Sequence, residues 1–329
     1  MKKRALGPFQ VGVIGLGCMN LSHAYGVPPS PEDGRKLLAR ALELGIDHFD
    51  SASLYGFGRN EELVGPALKP VRDKIVLASK CGMTGIDGKR VIDGKPASLK
   101  RDCENSLRRL QTEVIDLYYL HRWDKAVPIE DSIGAMADLV KEGKIRAIGL
   151  SEVSAASLRK AHEVHPIAAV QSEYSLWTRN PEIAVLAACR ELGASFVAFS
   201  PLGRGFLTGA DLDPGQFVTG DIRTGMPRFQ APHFEQNRRL LPAFRQMAAE
   251  WGTTPARLAL AWVLHRGDNI LAIPGTVSAA HLEEDVSAAD LQLTAAQIAA
   301  LDALIDDSKV SGPRYPAATQ QEIDTEDRP

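Results

Sequence analysis

The chain alternates between two hydrophobic periods. Short apolar runs without strict polar alternation fall at residues 11–16, 46–49, 75–79, 114–120, 145–150, 168–171, 196–200 and 270–273. They are rich in Val, Ile, Phe and Tyr, which predicts strands buried on both faces of a parallel sheet. Between them, apolar residues recur at helical spacing over 31–44, 98–110, 129–142, 155–164, 181–192 and 255–264, which predicts amphipathic helices. Ser30 followed by Pro31 forms a helix start, with a hydroxyl N-cap and proline at the first position. Glu43-Leu44-Gly45, Lys141-Glu142-Gly143 and Glu191-Leu192-Gly193 each end a helix on a glycine just before the next strand.

Most predicted strands begin ~20–40 residues apart, as βα units require. Eight such units predict an α/β fold of the (β/α)8 TIM-barrel type, as a single domain over residues 1–329. The interval from Ser200 to Ile270 breaks the rhythm. It holds a Gly/Pro/Asp-rich stretch at 208–232, followed by two helices, and a loop of that length is expected to be functional. We read it as a flap over the C-terminal face of the barrel. The polar, acidic stretch 309–329 reads either as a disordered tail or as part of that rim.

Composition narrows the function by exclusion. The 44% hydrophobic content is that of a globular chain with a full core. Lys and Arg total 38 against 41 Asp and Glu, so the net charge of −3 makes no electrostatic case for nucleic acid or an acidic membrane. No apolar run approaches the ~20 residues of a membrane span. Met1-Lys2-Lys3-Arg4 is not followed by the apolar core of a signal peptide, so a cytoplasmic protein is expected. Cys18, Cys81, Cys103 and Cys189 show no CxxC pairing, hence no expected metal site. They read as free thiols, with Cys18 and Cys81, at strand ends, the two expected to be open to oxidation. No self-complementary patch is legible, and monomer and oligomer both stay open. The partner to look for is a small molecule in a pocket.

Functional residues of such a barrel sit where strands exit. One predicted strand ends in Asp50-Ser51-Ala52-Ser53-Leu54-Tyr55-Gly56, the next in Ser79-Lys80, and the next in Leu120-His121. Alone, Asp50 reads as a turn former, Tyr55 as an aromatic edge and His121 as a satisfied core histidine. Lys80 is harder to dismiss, because a lysine ending an apolar run must find a partner. Together the four have complementary chemistry. A phenol titrates near ~10, and the Lys80 ammonium is expected to lower that value by stabilising tyrosinate. Asp50 would hold Lys80, and His121 would orient a carbonyl oxygen or relay its proton. The set suits a general acid facing a developing alkoxide.

Several motifs in order make a resemblance plain over nearly the whole chain. They are 49–56 with Asn60-Glu61 and Leu63-Val64-Gly65, Ser79-Lys80, 116–121, Gly149-Leu150-Ser151, 170–174, 200–205 and Ile273-Pro274-Gly275-Thr276. In these the chain resembles the aldo-keto reductases, in particular a bacterial branch carrying the sequence found here at 200–209 (SPLGRGFLTG). The resemblance implies NAD(P)H-dependent reduction of aldehydes or ketones, with Asp50, Tyr55, Lys80 and His121 as the catalytic tetrad. It also implies that Ser151 and Gln171 bind the nicotinamide carboxamide. Phe199, in place of a more usual tyrosine, would stack on the ring beside Ser200 and Pro201. Leu202, Gly203 and Arg204 would cradle the pyrophosphate. Glu152 stands where the family usually has Asn, and a carboxylate accepts but cannot donate.

At the adenosine end the expected contacts are Gly275, Thr276, Ser278, His281 and Asp285. No Lys or Arg follows Thr276 to clamp a 2′-phosphate, a departure from NADP-preferring members. NADPH remains the expected cofactor, with NADH possible. Gly15-Leu16-Gly17-Cys18-Met19-Asn20 opens like a dinucleotide fingerprint, but its sixth position is Asn20 and no acidic partner follows. We read it as the first strand exit, with Gly17, Cys18 and Met19 on the pocket floor. Met19, His23, Tyr25, Leu54, Trp123 and the flap are the substrate candidates, predicting a mostly apolar cleft for aromatic or polycyclic carbonyls. Two other readings stay open: a Schiff base on Lys80, as in aldolases, and a non-catalytic nicotinamide-binding subunit.

Overall fold

The computed structural model describes residues 1–86 and 88–327. Its strands are β1 (Lys3–Leu6), β2 (Phe9–Gly12), β3 (Leu16–Gly17), β4 (His48–Asp50), β5 (Val76–Cys81), β6 (Met83–Ile86), β7 (Lys89–Ile92), β8 (Ile115–Leu120), β9 (Ile145–Ser151), β10 (Ile167–Glu173), β11 (Ser195–Phe199) and β12 (Ile270–Ile273). The helices are α1 (Pro31–Glu43), α2 (Arg59–Leu68), α3 (Pro96–Leu110), α4 (Ile129–Lys141), α5 (Ala155–Val164), α6 (Val185–Leu192), α7 (His233–Arg238), α8 (Leu241–Glu250), α9 (Pro255–His265), α10 (Ala279–Ser287), α11 (Ala295–Leu304) and α12 (Ala317–Gln320).

Eight parallel strands pair in the order β12-β11-β10-β9-β8-β5-β4-β3. The ring closes through a parallel bridge from Ile14 to Ala272, reinforced by Gly15 N donating to Ala272 O at 2.9 Å and Gly17 N donating to Pro274 O at 3.1 Å. This is the expected (β/α)8 barrel. The glycine pair is a requirement of the closing seam. A Cβ on Gly15 would lie 2.7 Å from the His48 ring, and one on Gly17 would lie 2.8 Å from Ile273 O.

The first strand differs from expectation. Val11 belongs to an antiparallel hairpin of β1 and β2, turned at Gly7-Pro8, and the barrel strand proper shrinks to Leu16–Gly17. Buried Leu6 and Val11 join Val76, Leu117, Tyr119, Ala147, Val197 and Leu271 in the barrel interior, so the hairpin plugs one end. The larger core lies between barrel and helices, where Phe49, Tyr118, Phe196 and Trp262 are fully buried. No helix among the described residues is long and apolar enough to cross a membrane.

Three insertions shape the opposite end. A second hairpin, β6–β7, follows β5 and had no counterpart in the sequence reading. The stretch 208–232 folds as short 3-10 turns with Met226 and Phe229 buried, and three helices follow it rather than two. It docks on the loop after β3, where Ile222 N donates to Ala24 O at 2.9 Å. The terminal stretch packs on the rim: Arg314 pairs with Glu152 at 2.8 Å, and Asp324 accepts from Ser154 N at 3.1 Å. Residues 328–329 lie outside the described residues.

Candidate active site

Asp50 ends β4, Lys80 lies in β5, and His121 continues β8 by one residue, its N–H donating to Cys81 O at 2.9 Å. Tyr55 sits on a 3-10 turn after β4. The Lys80 ammonium makes an ion pair with Asp50 and donates to Ser51 O at 2.8 Å and to the Tyr55 hydroxyl at 3.2 Å. Its three protons thus have three acceptors. The Tyr55 ring stands edge-on to His121 with centroids 5.8 Å apart.

The Tyr55 turn is held from behind. Asn60 accepts from the Ser51 hydroxyl at 2.7 Å and donates to Cys18 O and Ser22 Oγ, both at 2.7 Å. Glu61 accepts from Ser79 at 2.6 Å and pairs with Arg109. Both are fully buried. The motif residues Asn60-Glu61 therefore act as positioning residues for Tyr55 and Lys80.

The electrostatics are set by burial. Burial pushes the Tyr55 phenol up, and the Lys80 charge pulls it only part of the way back. The expected net lowering is thereby corrected: desolvation outweighs the ammonium. Lys80 faces the same penalty of burial, but Asp50 and Tyr55 more than offset it and keep the amine protonated. Burial, followed by the charges of Arg122 and Lys80, holds His121 well below its usual range, so its imidazole is neutral.

A cavity of about 880 Å³ opens above these residues. Its catalytic end is walled by Asp50, Tyr55, His121, Met19, His23 and Leu54. Gly17, Tyr25, Ser151, Gln171, Phe199, Ser200, Pro201, Leu202 and Arg204 line the middle, and Gly275, Thr276, His281 and Asp285 the far end. Four expected contacts are not in this wall. Cys18 is fully buried behind it, in the core. Gly203 is buried, with its α-carbon facing the Trp177 ring. Ser278 instead caps α10, accepting from His281 N. Trp123 packs against the core and donates to Val127 O at 2.9 Å. Cys18 and Cys81 are both buried with their thiols pushed up, foremost by burial, which removes the expected oxidation sites.

The arrangement matches a known family. The Aldo/keto reductase family model aligns with residues 13–306. The chain belongs to the aldo/keto reductase family. It is 41% identical over 327 residues to an aldo-keto reductase of Schizosaccharomyces pombe named for NADP(+), covering 97% of this chain and 96% of that one. A glycerol dehydrogenase from Gluconobacter oxydans superposes with a TM-score of 0.85 at 30% identity, covering 96% of this chain and 98% of the other. An aldo/keto reductase from Klebsiella pneumoniae, solved with NADP and acetate, gives a TM-score of 0.74 at 28% identity, covering 99% and 100%.

A nicotinamide dinucleotide suits the donors and acceptors of this aldo/keto reductase. Gln171 donates its amide N–H to Asp50 at 2.7 Å, leaving its carbonyl oxygen free to accept from a ligand. Ser151 accepts from Arg122 at 3.2 Å, leaving its hydroxyl proton to donate. One acceptor and one donor match a primary carboxamide. Left-handed backbone at Gly203, Arg204 and Gly205 (φ 57°, 58° and 92°) turns this loop tightly, with Gly203 N donating to Ser200 O at 2.9 Å and Gly205 N to Leu202 O at 3.2 Å, so these two amides are not open to a phosphate. The Arg204 guanidinium is already engaged by Glu173 at 2.7 Å and by Tyr25 and Tyr315, so its expected role as a free pyrophosphate cation is not what the geometry displays. Glu152 turns away from the cavity to Arg314.

No sequence expectation covers the wall residues Met83 and Arg90 of the β6–β7 hairpin or Arg122, whereas Ile222 and Arg223 come from the expected 208–232 flap and Tyr315 from the terminal stretch expected as tail or rim. Only Arg122, a charge directly after His121, left a local signal.

Proposed function

We propose that the protein is an NADPH-dependent carbonyl reductase acting reversibly on aldehydes or ketones and the corresponding alcohols. The single observation that carries this is the Tyr55 hydroxyl, 3.2 Å from a buried, acid-paired ammonium, at the end of a dinucleotide-sized cavity. When bound, NADPH supplies the hydride. The residues supply the rest. Tyr55 donates its proton to the carbonyl oxygen as that oxygen gains charge, and the tyrosinate left behind is stabilised by Lys80. Asp50 keeps Lys80 charged and aimed. Neutral His121 orients the carbonyl oxygen by donating a hydrogen bond; it has no extra proton to deliver. Gln171, Ser151 and Phe199 position the nicotinamide.

The choice of NADPH over NADH is supported by the S. pombe relative's name and the Klebsiella complex. No Lys or Arg occurs between Gly275 and Asp285, and His281 is the residue of that run whose ring in the wall can donate to a 2′-phosphate. The run 200–209 supports placement in the branch that carries that sequence. A Schiff base at Lys80 is disfavoured, since a protonated amine with three acceptors is a poor nucleophile. The test is Tyr55→Phe. We expect NADPH still to quench tryptophan fluorescence while aldehyde-dependent NADPH oxidation falls at least ~10²-fold. Near-full activity in that variant would remove Tyr55 from the acid role.

A further inference from the structure

Among the described residues, four guanidinium groups line the cavity, and three are neutralised. Arg90 pairs with Glu322, Arg204 with Glu173 at 2.7 Å and Arg223 with Asp221 at 2.7 Å. Arg122 is the exception: among the described residues it has no carboxylate partner. Its side chain is held by Nη1 alone, which donates to His121 O at 2.7 Å and Ser151 Oγ at 3.2 Å. The residue is 8% exposed and its Nε is buried without an acceptor. A guanidinium cannot shed its charge, and burying one without a counter-ion is costly. The other charge at this end, Lys80, is already balanced by Asp50. The catalytic end of the cavity therefore carries one uncompensated positive charge, next in sequence to His121.

We propose that Arg122 is a specificity-determining residue that anchors a carboxylate on the carbonyl substrate, so that the enzyme prefers anionic aldehydes or ketones over neutral ones. This rests on the reductase reading above and names its substrate class. One fixed charge matches a carboxylate monoanion, and Nη2, with no hydrogen-bond partner among the described residues, is the nitrogen left to meet it. A phosphate dianion would leave a charge in excess. The expectation of a mainly apolar cleft is narrowed accordingly: apolar walls from Met19, Leu54 and Met83 surround a charged anchor.

The experiment compares kcat/KM for 4-carboxybenzaldehyde with that for its neutral methyl ester, in the wild type, Arg122→Gln and Arg122→Lys, with NADPH saturating. We expect the wild type to favour the carboxylate at least tenfold. Arg122→Gln should collapse that ratio towards one, chiefly through KM for the carboxylate, and Arg122→Lys should restore part of it. Benzoate should compete with the aldehyde in the wild type and lose potency in Arg122→Gln, while benzamide should inhibit both alike. Equal turnover of both aldehydes by the wild type, or an equal loss for both in Arg122→Gln, would overturn the proposal and leave Arg122 as a support for Ser151. NADPH binding with no turnover of either aldehyde would overturn the reductase reading itself, an outcome distinct from lost selectivity.

Discussion

Tyr55 and Lys80 meet hydroxyl to ammonium at 3.2 Å, with the ammonium 4.8 Å from the centre of the tyrosine ring. The contact stabilises tyrosinate more than tyrosine, yet burial still leaves the phenol above its ordinary value. The phenol is thus held protonated, as the proposed acid must be. Replacing Lys80 by Met removes the ammonium that bonds the phenol and outweighs Arg122 among the charges favouring tyrosinate. Carbonyl reduction should fall ~10²-fold or more, with cofactor affinity changed little, as read by steady-state kinetics beside a binding titration. A loss confined to KM would contradict this assignment.

The same direction of shift fixes the pH profiles. Reduction needs Tyr55 protonated, so its kcat should stay level through neutral pH and fall only in strongly alkaline solution. Alcohol oxidation needs Tyr55 as the base, so its rate should climb with pH across the alkaline range. Neutral His121 adds no inflection near its ordinary value, because burial, with Arg122 and Lys80, holds its proton affinity down. An inflection between pH 6 and 7 in kcat for reduction would show that this account of His121 is wrong.

Asp285 is 2% exposed, and burial beside Glu284 pushes its carboxyl up to about 8. The unfolded chain releases this proton near ~4. Stability from the neutral carboxyl is full below that pH and is lost as the pH rises towards 8. Asp285→Asn keeps a neutral side chain of the same shape. The variant should match the wild type near pH 4 and gain on it steadily to pH 8, with a plateau worth roughly 2–5 kcal/mol, since each tenfold change in an equilibrium is worth about 1.4 kcal/mol. Denaturant unfolding at several pH values measures it. A difference independent of pH would mean that Asp285 stays ionised in the fold.

Arg314 and Glu152 form a buried pair at 2.8 Å, with side chains 4% and 0% exposed. Arg314→Met leaves Glu152 charged and without that partner, at a cost of ~3–5 kcal/mol. Adding Glu152→Gln should recover most of it. Because this pair holds residues 309–327 on the rim, the single variant should also be cut faster in that stretch by limited proteolysis. Unchanged stability in Arg314→Met would show that the pair contributes nothing net.

All four cysteines are buried, and burial pushes Cys103 and Cys189 up to about 12. A thiol reagent at neutral pH should label none of them in the native protein and all four in denaturant. Rapid native labelling of Cys18 would restore the oxidation-site reading.

Much of the barrel was legible because its signals are local. Apolar runs, glycine stops and the Ser30-Pro31 start act within a few residues, and Ser30 does accept from Asp33 N at 3.1 Å to open α1. The proposed catalytic residues were legible for a related reason: a charged or phenolic side chain at a strand exit stands out against the run before it. Where two local patterns compete, the reading slipped. The predicted helix from residue 181 begins with a 3-10 turn at Asn180–Glu182, and α6 starts at Val185. Val11 was apolar enough to pass for a barrel strand, while its real partner is Arg4 across a tight hairpin.

The cavity wall was decided elsewhere. Arg90 reaches it on a hairpin inserted after β5, and Tyr315 on a terminal stretch anchored by Arg314 and Asp324. Trp123 and Arg122 are neighbours in the chain, yet one faces the core and the other the cavity. Which guanidinium keeps an unmatched charge depends on carboxylates that approach from distant segments: Glu173 for Arg204, 31 residues away, and Glu322 for Arg90, 232 residues away. The order of residues along the chain makes most of the barrel strands and helices and the proposed catalytic set legible, because propensity and periodicity are short-range. Charge pairing and the shape of the pocket wait for tertiary structure, because Coulomb and packing interactions act through space between segments that the sequence keeps far apart.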